Sequence, residues 1–211
     1  MNQSIDLLSI VIPIAIILVA LTIHEAAHAW SADRLGDPTA RMLGRVSLNP
    51  IVHIDPIGTI LLPLVSIYSG LPLLGWAKPV PVNISRFKHP RRDFMIVAAA
   101  GPLSNLAQAA IAGMVLAVLP ESRGISGGDL LDAVLTIVVR ANVFLAVFNL
   151  IPVPPLDGGN VLAGLLPPNA ARAFDGLRPF GFLILYAMMF TGVLSALVVP
   201  PANFLMRVFL P

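Results

Sequence analysis

The chain has 211 residues, of which 57% are hydrophobic and only 11% charged, and its mean hydropathy is +0.88. Ordinary soluble domains carry about 25% charged residues, so a soluble globule is excluded and an integral-membrane chain is expected. A net charge of +2 is too small an excess to point to nucleic acid, and the absence of cysteine removes disulfides, iron–sulfur clusters and thiolate zinc sites together.

A helix crossing the hydrocarbon needs about 20 predominantly apolar residues, and five apolar stretches appear in chain order. Leu7–Ile23 is the first, and its helix is expected to continue through His24-Glu25-Ala26-Ala27-His28 to about Ala32. The preceding MNQSID has no Lys or Arg, and no small-residue cleavage site follows the apolar run, so this segment is expected to stay in the mature protein. Gly36–Asn49 alternates loosely between turn residues, which predicts a short β-hairpin at about 40–49. Pro56–Ala77 is broken by Pro63, Gly70 and Pro72 and leaves no unbroken helix of crossing length. Gly75–Pro90 is proline-rich and reads as extended loop. Phe94–Pro120 is the third apolar stretch. Leu130–Ile151 is interrupted only by Asp132 and Arg140, and Pro179–Met206 is the last. No internal repeat and no inserted soluble domain is visible, so residues 1–211 read as a single integral-membrane domain.

The basic residues decide whether 56–77 crosses. Arg34, Arg41 and Arg45 precede it, and Lys78, Arg86, Lys88, Arg91 and Arg92 follow it. A full crossing would place these two groups on opposite sides of the membrane, against the positive-inside rule. If the segment is re-entrant or a broken hairpin, both groups lie in the cytoplasm with Arg172 and Arg178, while Arg123 and Arg207 lie outside. The expected fold is therefore an all-α polytopic membrane protein. It has about four full transmembrane helices, a re-entrant or broken segment at 56–77, and the short hairpin.

His24-Glu25-Ala26-Ala27-His28 is an H-E-x-x-H on a helix, and its i, i+4 spacing puts both imidazoles on one face, able to hold one zinc. Glu25 stands beside them, placed to act on a water activated there. These groups are costly in a membrane helix unless they function; the bland alternative is polar glue between helices. A catalytic zinc wants three protein ligands. The candidates for the third are carboxylates, His53 and His89, of which His89, in His-Pro-Arg-Arg-Asp, reads as a solvated loop residue. Asp157 stands out in Asn149-Leu-Ile-Pro-Val-Pro-Pro-Leu-Asp157-Gly-Gly, just past the end of the fourth stretch. Alone it would read as an Asp–Gly turn. It can share a metal with HEAAH only if the first and fourth stretches run the same way, which again requires that 56–77 not cross. Arg140, midway along an apolar stretch, either pairs with an acid, snorkels, or marks a later helix start.

With HEAAH, Ala100-Gly-Pro-Leu-Ser-Asn105 and Asn149-x-x-Pro-x-Pro-x-Leu-Asp157-Gly in place, most of the chain resembles the site-2 proteases, zinc metalloproteases that cut within the membrane. The run Leu48-Asn-Pro-Ile-Val-His53-Ile-Asp-Pro-Ile-Gly-Thr59 resembles the short, mostly prokaryotic branch without a PDZ or CBS domain. The resemblance implies one zinc per chain held by His24, His28 and Asp157, with Glu25 as catalytic acid/base. Asn149 is similar to the active-site asparagine, its alternative being a cap on the broken helix end. Asn105 is similar to the asparagine of the helix between the two metal-bearing helices. His53 is either a site residue or an interfacial polar residue beside Asp55. The implied function is an intramembrane zinc endopeptidase of a prokaryotic inner or plasma membrane. It would act on transmembrane protein substrates within the lipid bilayer, not on nucleic acid, with its site opening towards the cytoplasm. An extended substrate is expected to add as a strand to an edge of the Arg41–Leu48 hairpin. The alternatives are a metal-binding transporter, which should repeat its ligands along a path, and a catalytically inactive relative.

Overall fold

The computed structural model describes residues 7–69, 75–119 and 128–211. The MNQSID start, Gly70 and Pro72 of the broken segment, and Arg123 lie outside the described residues. All regular structure among the described residues is helical.

Helix α1 (Leu7–Arg34) is one rod of 28 residues, about 42 Å long at 1.5 Å per residue. The chain then turns at Asp37 into the single-turn helix α2 (Thr39–Met42). No hairpin forms at 40–49. Asp37 Oδ1 accepts from the backbone N–H and the hydroxyl of Thr39 and starts a helical turn. That turn closes through Gly44, with Arg45 N donating to Ala40 O at 2.8 Å and Gly44 N to Arg41 O at 3.0 Å. Gly44 has φ 68°, the left-handed closure that glycine adopts without cost. The loose alternation was too short to outweigh this local side-chain chemistry, and the strand edge expected at Arg41–Leu48 does not exist.

A 3₁₀ turn (Pro50–His53) leads into a π-helical turn (Pro56–Leu61) and helix α3 (Leu62–Ser69). Asp55 caps this start by accepting from Ile57 N and Gly58 N. The returning strand of loop is tied to the same level. Trp76 N donates to Gly58 O at 3.1 Å, Thr59 Oγ1 to Trp76 O at 2.8 Å and Lys78 N to His53 O at 2.8 Å. The excursion between Asp55 and Lys78 therefore leaves and returns at one end of the molecule.

After a further 3₁₀ turn (Ile84–Arg86), α4 (Pro90–Val118) runs back along α1. His28 meets Val97, while His24 and Ala20 meet Asn105, so the two helices are antiparallel. Helix α5 (Gly128–Asn149) packs on both and touches Asn105 through Asn142. The buried side of α4 carries Val97, Ala98, Gly101, Asn105, Ala109, Ala112 and Gly113. This stripe of mostly small residues lets backbones approach where lipid supplies no hydrophobic drive.

Beyond α5 come α6 (Asp157–Leu165), α7 (Pro168–Asp175), a 3₁₀ turn (Arg178–Phe180), α8 (Gly181–Phe190) and α9 (Val193–Phe209). The final apolar stretch, Pro179–Met206, is split at Thr191–Gly192. Gly181 lies against Pro154, and the carbonyl of Phe209 against Gly113 near the far end of α4, so α8 and α9 together run from one end of the bundle to the other. Val139, Val143 and Val147 of α5, Leu185 of α8 and Val198 and Ala202 of α9 share one buried cluster. Among the described residues, four helical stretches are long and apolar enough to cross a membrane: Val11–Arg34, Pro90–Val118, Leu130–Asn149 and Pro168–Phe190; Val193–Phe209 is a shorter apolar helix. Arg140 is exposed on α5 and makes no ion pair among the described residues.

Asp37 joins this frame to the loop before α4, because its second oxygen accepts from Asn83 N at 2.6 Å. Burial pulls its pKa upward, but the donors of Thr39 and Asn83, with Arg86 nearby, outweigh it and hold the carboxyl below its usual range. A carboxylate depressed in the folded state stabilises above its ordinary pKa, and that stability is lost as pH falls through the lowered value. Asp37→Ala is expected to cost about 1–3 kcal/mol by leaving these donors unpaired. It should appear as a lower unfolding temperature in detergent at pH 7, with the gap to wild type closing as the pH falls below 4 or so.

Candidate metal centre

Three elements converge on one point. His24 and His28 lie one turn apart on α1, and their rings stand at 86° with centroids 4.7 Å apart. Asp157 is brought over them by the loop after α5, which is tightened by Val153 N donating to Ile151 O and Leu156 N to Val153 O. Asp157 opens α6, and α6 is seated on α4 where Gly164 meets Met95. His24 Nε2 and Asp157 Oδ2 are 3.1 Å apart, His28 Nε2 and Asp157 Oδ2 3.3 Å, and the two Nε2 atoms 3.1 Å. Tetrahedral zinc with bonds of 2.0–2.1 Å would set its ligand atoms roughly 3.3–3.4 Å apart.

The hydrogens explain why this triangle calls for a cation. Asn142 Nδ2 donates to Val138 O, which turns its Oδ1 towards Asn105. Asn105 Nδ2 donates to that oxygen at 2.8 Å and to Ala20 O, which turns its own Oδ1 to His24 Nδ1 at 2.6 Å. His24 must donate from Nδ1, so in the neutral imidazole that a metal requires its Nε2 presents a lone pair. His28 likewise donates from Nδ1 to Val97 O at 2.7 Å. Two imine lone pairs and a carboxylate oxygen thus face one another, and Asp157 Oδ2 is buried with no hydrogen-bond partner. A divalent cation satisfies all three at once, and the nitrogen and oxygen donor set suits zinc. Among the described residues this is the one group of His, Asp and Glu side chains close enough together to hold a metal.

Gly101 of α4 closes the floor. A Cβ there would stand 2.4 Å from His28 Nε2 and 2.6 Å from His24 Cε1, so no larger residue fits beside the ligands.

Glu25 is half-buried on α1 and makes no hydrogen bond among the described residues. Asn149 ends α5 and donates to Leu145 O at 3.0 Å. Asn105 is fully buried behind His24. His53 is buried in the 3₁₀ turn, where its Nε2 donates to Ser47 O at 2.8 Å and its Nδ1 has no partner. It belongs to the knot around Lys78 and is not one of the three clustered ligands. His89 is exposed at the start of α4, its N–H capped by Asp93. Sequence reasoning missed Asn142, whose one signal was an amide two helical turns before Asn149.

Loss of the acceptor behind a ligating histidine typically costs 10–100-fold in metal affinity. Asn105→Ala is therefore expected to weaken zinc by about that factor, read by competition with a chelator.

Residues 126–188 match the family described as Peptidase family M50. The chain is 39% identical over 193 residues to the Bacillus subtilis (strain 168) protein named Putative zinc metalloprotease YwhC, covering 89% of this chain and 84% of that one. It is 32% identical over 183 residues to the Mycolicibacterium smegmatis protein named Putative zinc metalloprotease Rip2, and 33% identical to the Mycobacterium tuberculosis (strain H37Rv) protein of that name. It spans 66% of the length of each of these two. No solved structure matches.

Proposed function

Since the chain belongs to peptidase family M50, the site-2 protease family, we propose that it is an intramembrane zinc endopeptidase that hydrolyses peptide bonds in or near transmembrane segments of membrane proteins. The observation that carries this reading is the triangle of two imine nitrogens and one orphaned carboxylate oxygen, buried among apolar helices beside Glu25.

His24, His28 and Asp157 would hold the metal in this reading. When bound, zinc supplies Lewis acidity, lowering the pKa of water at the site and polarising a carbonyl. Glu25 accepts the proton of the attacking water and returns it to the leaving amine. Its freedom from hydrogen bonds supports that task, because no partner has to be given up. Asn149 spends one amide hydrogen on Leu145 O. Its second is assigned to the developing oxyanion, a donation typically worth ~2.7–4 kcal/mol. The bond to Leu145 equally supports its other reading, a brace for the last turn of α5.

A substrate helix satisfies its own backbone, so its scissile carbonyl must first be freed by local unwinding. The ten basic residues other than Arg123, Arg140 and Arg207 surround the metal-bearing end, which in this reading faces the cytoplasm. The excursion through α3 then enters the membrane and returns on that side, and residues 1–211 act as one domain. A permeation path with repeated metal sites finds no support among the described residues.

The test is to incubate the purified zinc-loaded protein in detergent with transmembrane peptides and with unstructured soluble peptides, and to locate cuts by mass spectrometry. Cuts within or beside the apolar segment are expected. Zinc flux into proteoliposomes with no cleavage of any transmembrane peptide would sink the reading.

A further inference from the structure

Away from the metal, at the junction of α4, α6 and α7, lies a cavity of about 290 Å³ walled by Phe94 and Ile84 and rimmed by Arg91, Arg172 and Arg178. Nothing in the proteolytic reading uses it. Two guanidiniums from α7 and the turn after it, and a third from the start of α4, share the rim with one carboxylate, that of Asp175, so the rim carries an excess of two positive charges.

Each arginine is positioned by the fold. Arg91, in the first turn of α4, donates to the end carbonyls of α6, Ala163 O at 2.9 Å and Leu166 O. Arg178 donates to Asp175 Oδ1 at 2.8 Å and to Asn160 Oδ1 at 2.9 Å, while Arg172 donates to Asn169 Oδ1 at 2.5 Å. A guanidinium has five donors, so each keeps N–H groups for a further acceptor. Planar guanidiniums match phosphate oxygens in paired hydrogen bonds. The rest of the lining is apolar, and the cavity opens beside the first turn of α4, which begins a stretch of membrane-crossing length. A soluble anion has no use for the apolar wall. A headgroup joined to glycerol and acyl chains has use for both parts, and basic pockets between membrane helices on the cytoplasmic side bind anionic headgroups.

We propose that this cavity binds the phosphodiester headgroup of an anionic phospholipid from the leaflet at the metal-bearing end of the bundle. The cavity is near the lower limit of ligand pockets, about 300 Å³, which suits a phosphoglycerol group. Its wall at Asn160 and Ala163 lies on α6, the helix that Asp157 begins, so a bound lipid braces the element carrying that carboxylate. The proposal stands apart from the proteolytic reading, because its readout is binding alone.

The test uses the full chain, zinc-loaded and delipidated in detergent, with lipid binding counted by native mass spectrometry. Short-chain phosphatidylglycerol is expected to bind one per chain, at least tenfold more tightly than phosphatidylcholine of the same chain length. Arg172→Glu is exposed and bonds only within its own helix, so it should fold. It is expected to erase the preference with zinc content unchanged. Arg178→Gln gives a second, independent reading of the same loss. Equal affinity for the two lipids, or a preference that survives both substitutions, would overturn the proposal. Displacement of the lipid by millimolar inorganic phosphate would overturn it too, marking the rim as a soluble-anion site.

Discussion

Glu25→Gln is expected to reduce cleavage of a transmembrane peptide by about 10²–10⁴-fold, the contribution of a positioned general base, while leaving zinc content at the wild-type level. That factor corresponds to about 3–5 kcal/mol of barrier. The two halves of the expectation come from separate facts. The three ligand atoms belong to His24, His28 and Asp157, so an amide at position 25 removes none of them. Glutamine is close to isosteric with glutamate and Glu25 has no hydrogen bond to lose, so the helix should be undisturbed. Loss of zinc in this variant would give Glu25 a ligand role that the triangle does not assign to it. Unchanged cleavage would remove it from the chemistry.

Asp157→Asn should have the reverse profile. Replacing a ligand ought to cost more than the 10–100-fold seen when only the partner behind a ligand is lost. Zinc should therefore fall to a small fraction of one per chain, and cleavage with it. The metal-free forms supply a sharper contrast. In the wild-type chain without metal, the carboxylate oxygen and the two ring nitrogens need a cation or an added proton between them. An asparagine Nδ2 at the same place would donate to either nitrogen. Leaving a buried polar atom unpaired costs about 1–3 kcal/mol, so the metal-free variant should unfold at or above the temperature of metal-free wild type. Zinc should raise the unfolding temperature of wild type only. A metal-free variant markedly less stable than metal-free wild type would mean that Asp157 has a structural partner other than a cation.

The parts of this picture that were legible in the sequence were those in which the chemistry is costly or the chain is broken. Two histidines and a carboxylate in apolar surroundings have few bland explanations, and HEAAH fixes its own geometry through the helical repeat. The return of the excursion at 56–77 was legible because charge on both sides of it and prolines within it pointed the same way; the bonds from Trp76 to Gly58 and Thr59 agree. The hairpin misled because Gly36–Asn49 offers alternation without length, while the deciding forces were the side chain of Asp37 and the left-handed Gly44, both local and both equally compatible with a helical turn. Asn142 was invisible because a lone amide in an apolar run most often serves as glue between helices. Its role emerges only when Asn105, 37 residues away, points at it. The arginine-rimmed cavity likewise depends on α6 and α7 folding back onto the start of α4, a contact that no local pattern encodes.

The break at Gly192 shows the same limit on a larger scale. Pro179–Met206 has no charge to mark where an interruption falls, so hydropathy alone gives it as one apolar stretch. The structure divides it between α8, seated by the loop that carries Asp157, and α9, packed along α5. The loop that presents the carboxylate is thus held from below by α8 and from the side by α6, which is how a single aspartate outside any long helix is kept within 3.3 Å of two histidines on another.

The most direct measurement is a metal titration of activity. Zinc is stripped from the purified wild-type protein by chelation and restored in fractions of an equivalent, while cleavage of one transmembrane peptide and the bound zinc are followed together. The expected result is no cleavage without metal and a linear rise that levels off at one zinc per chain, with cuts inside or beside the apolar segment. Cleavage by the metal-free protein, or full zinc occupancy through His24, His28 and Asp157 with no cleavage of any transmembrane peptide, would contradict it.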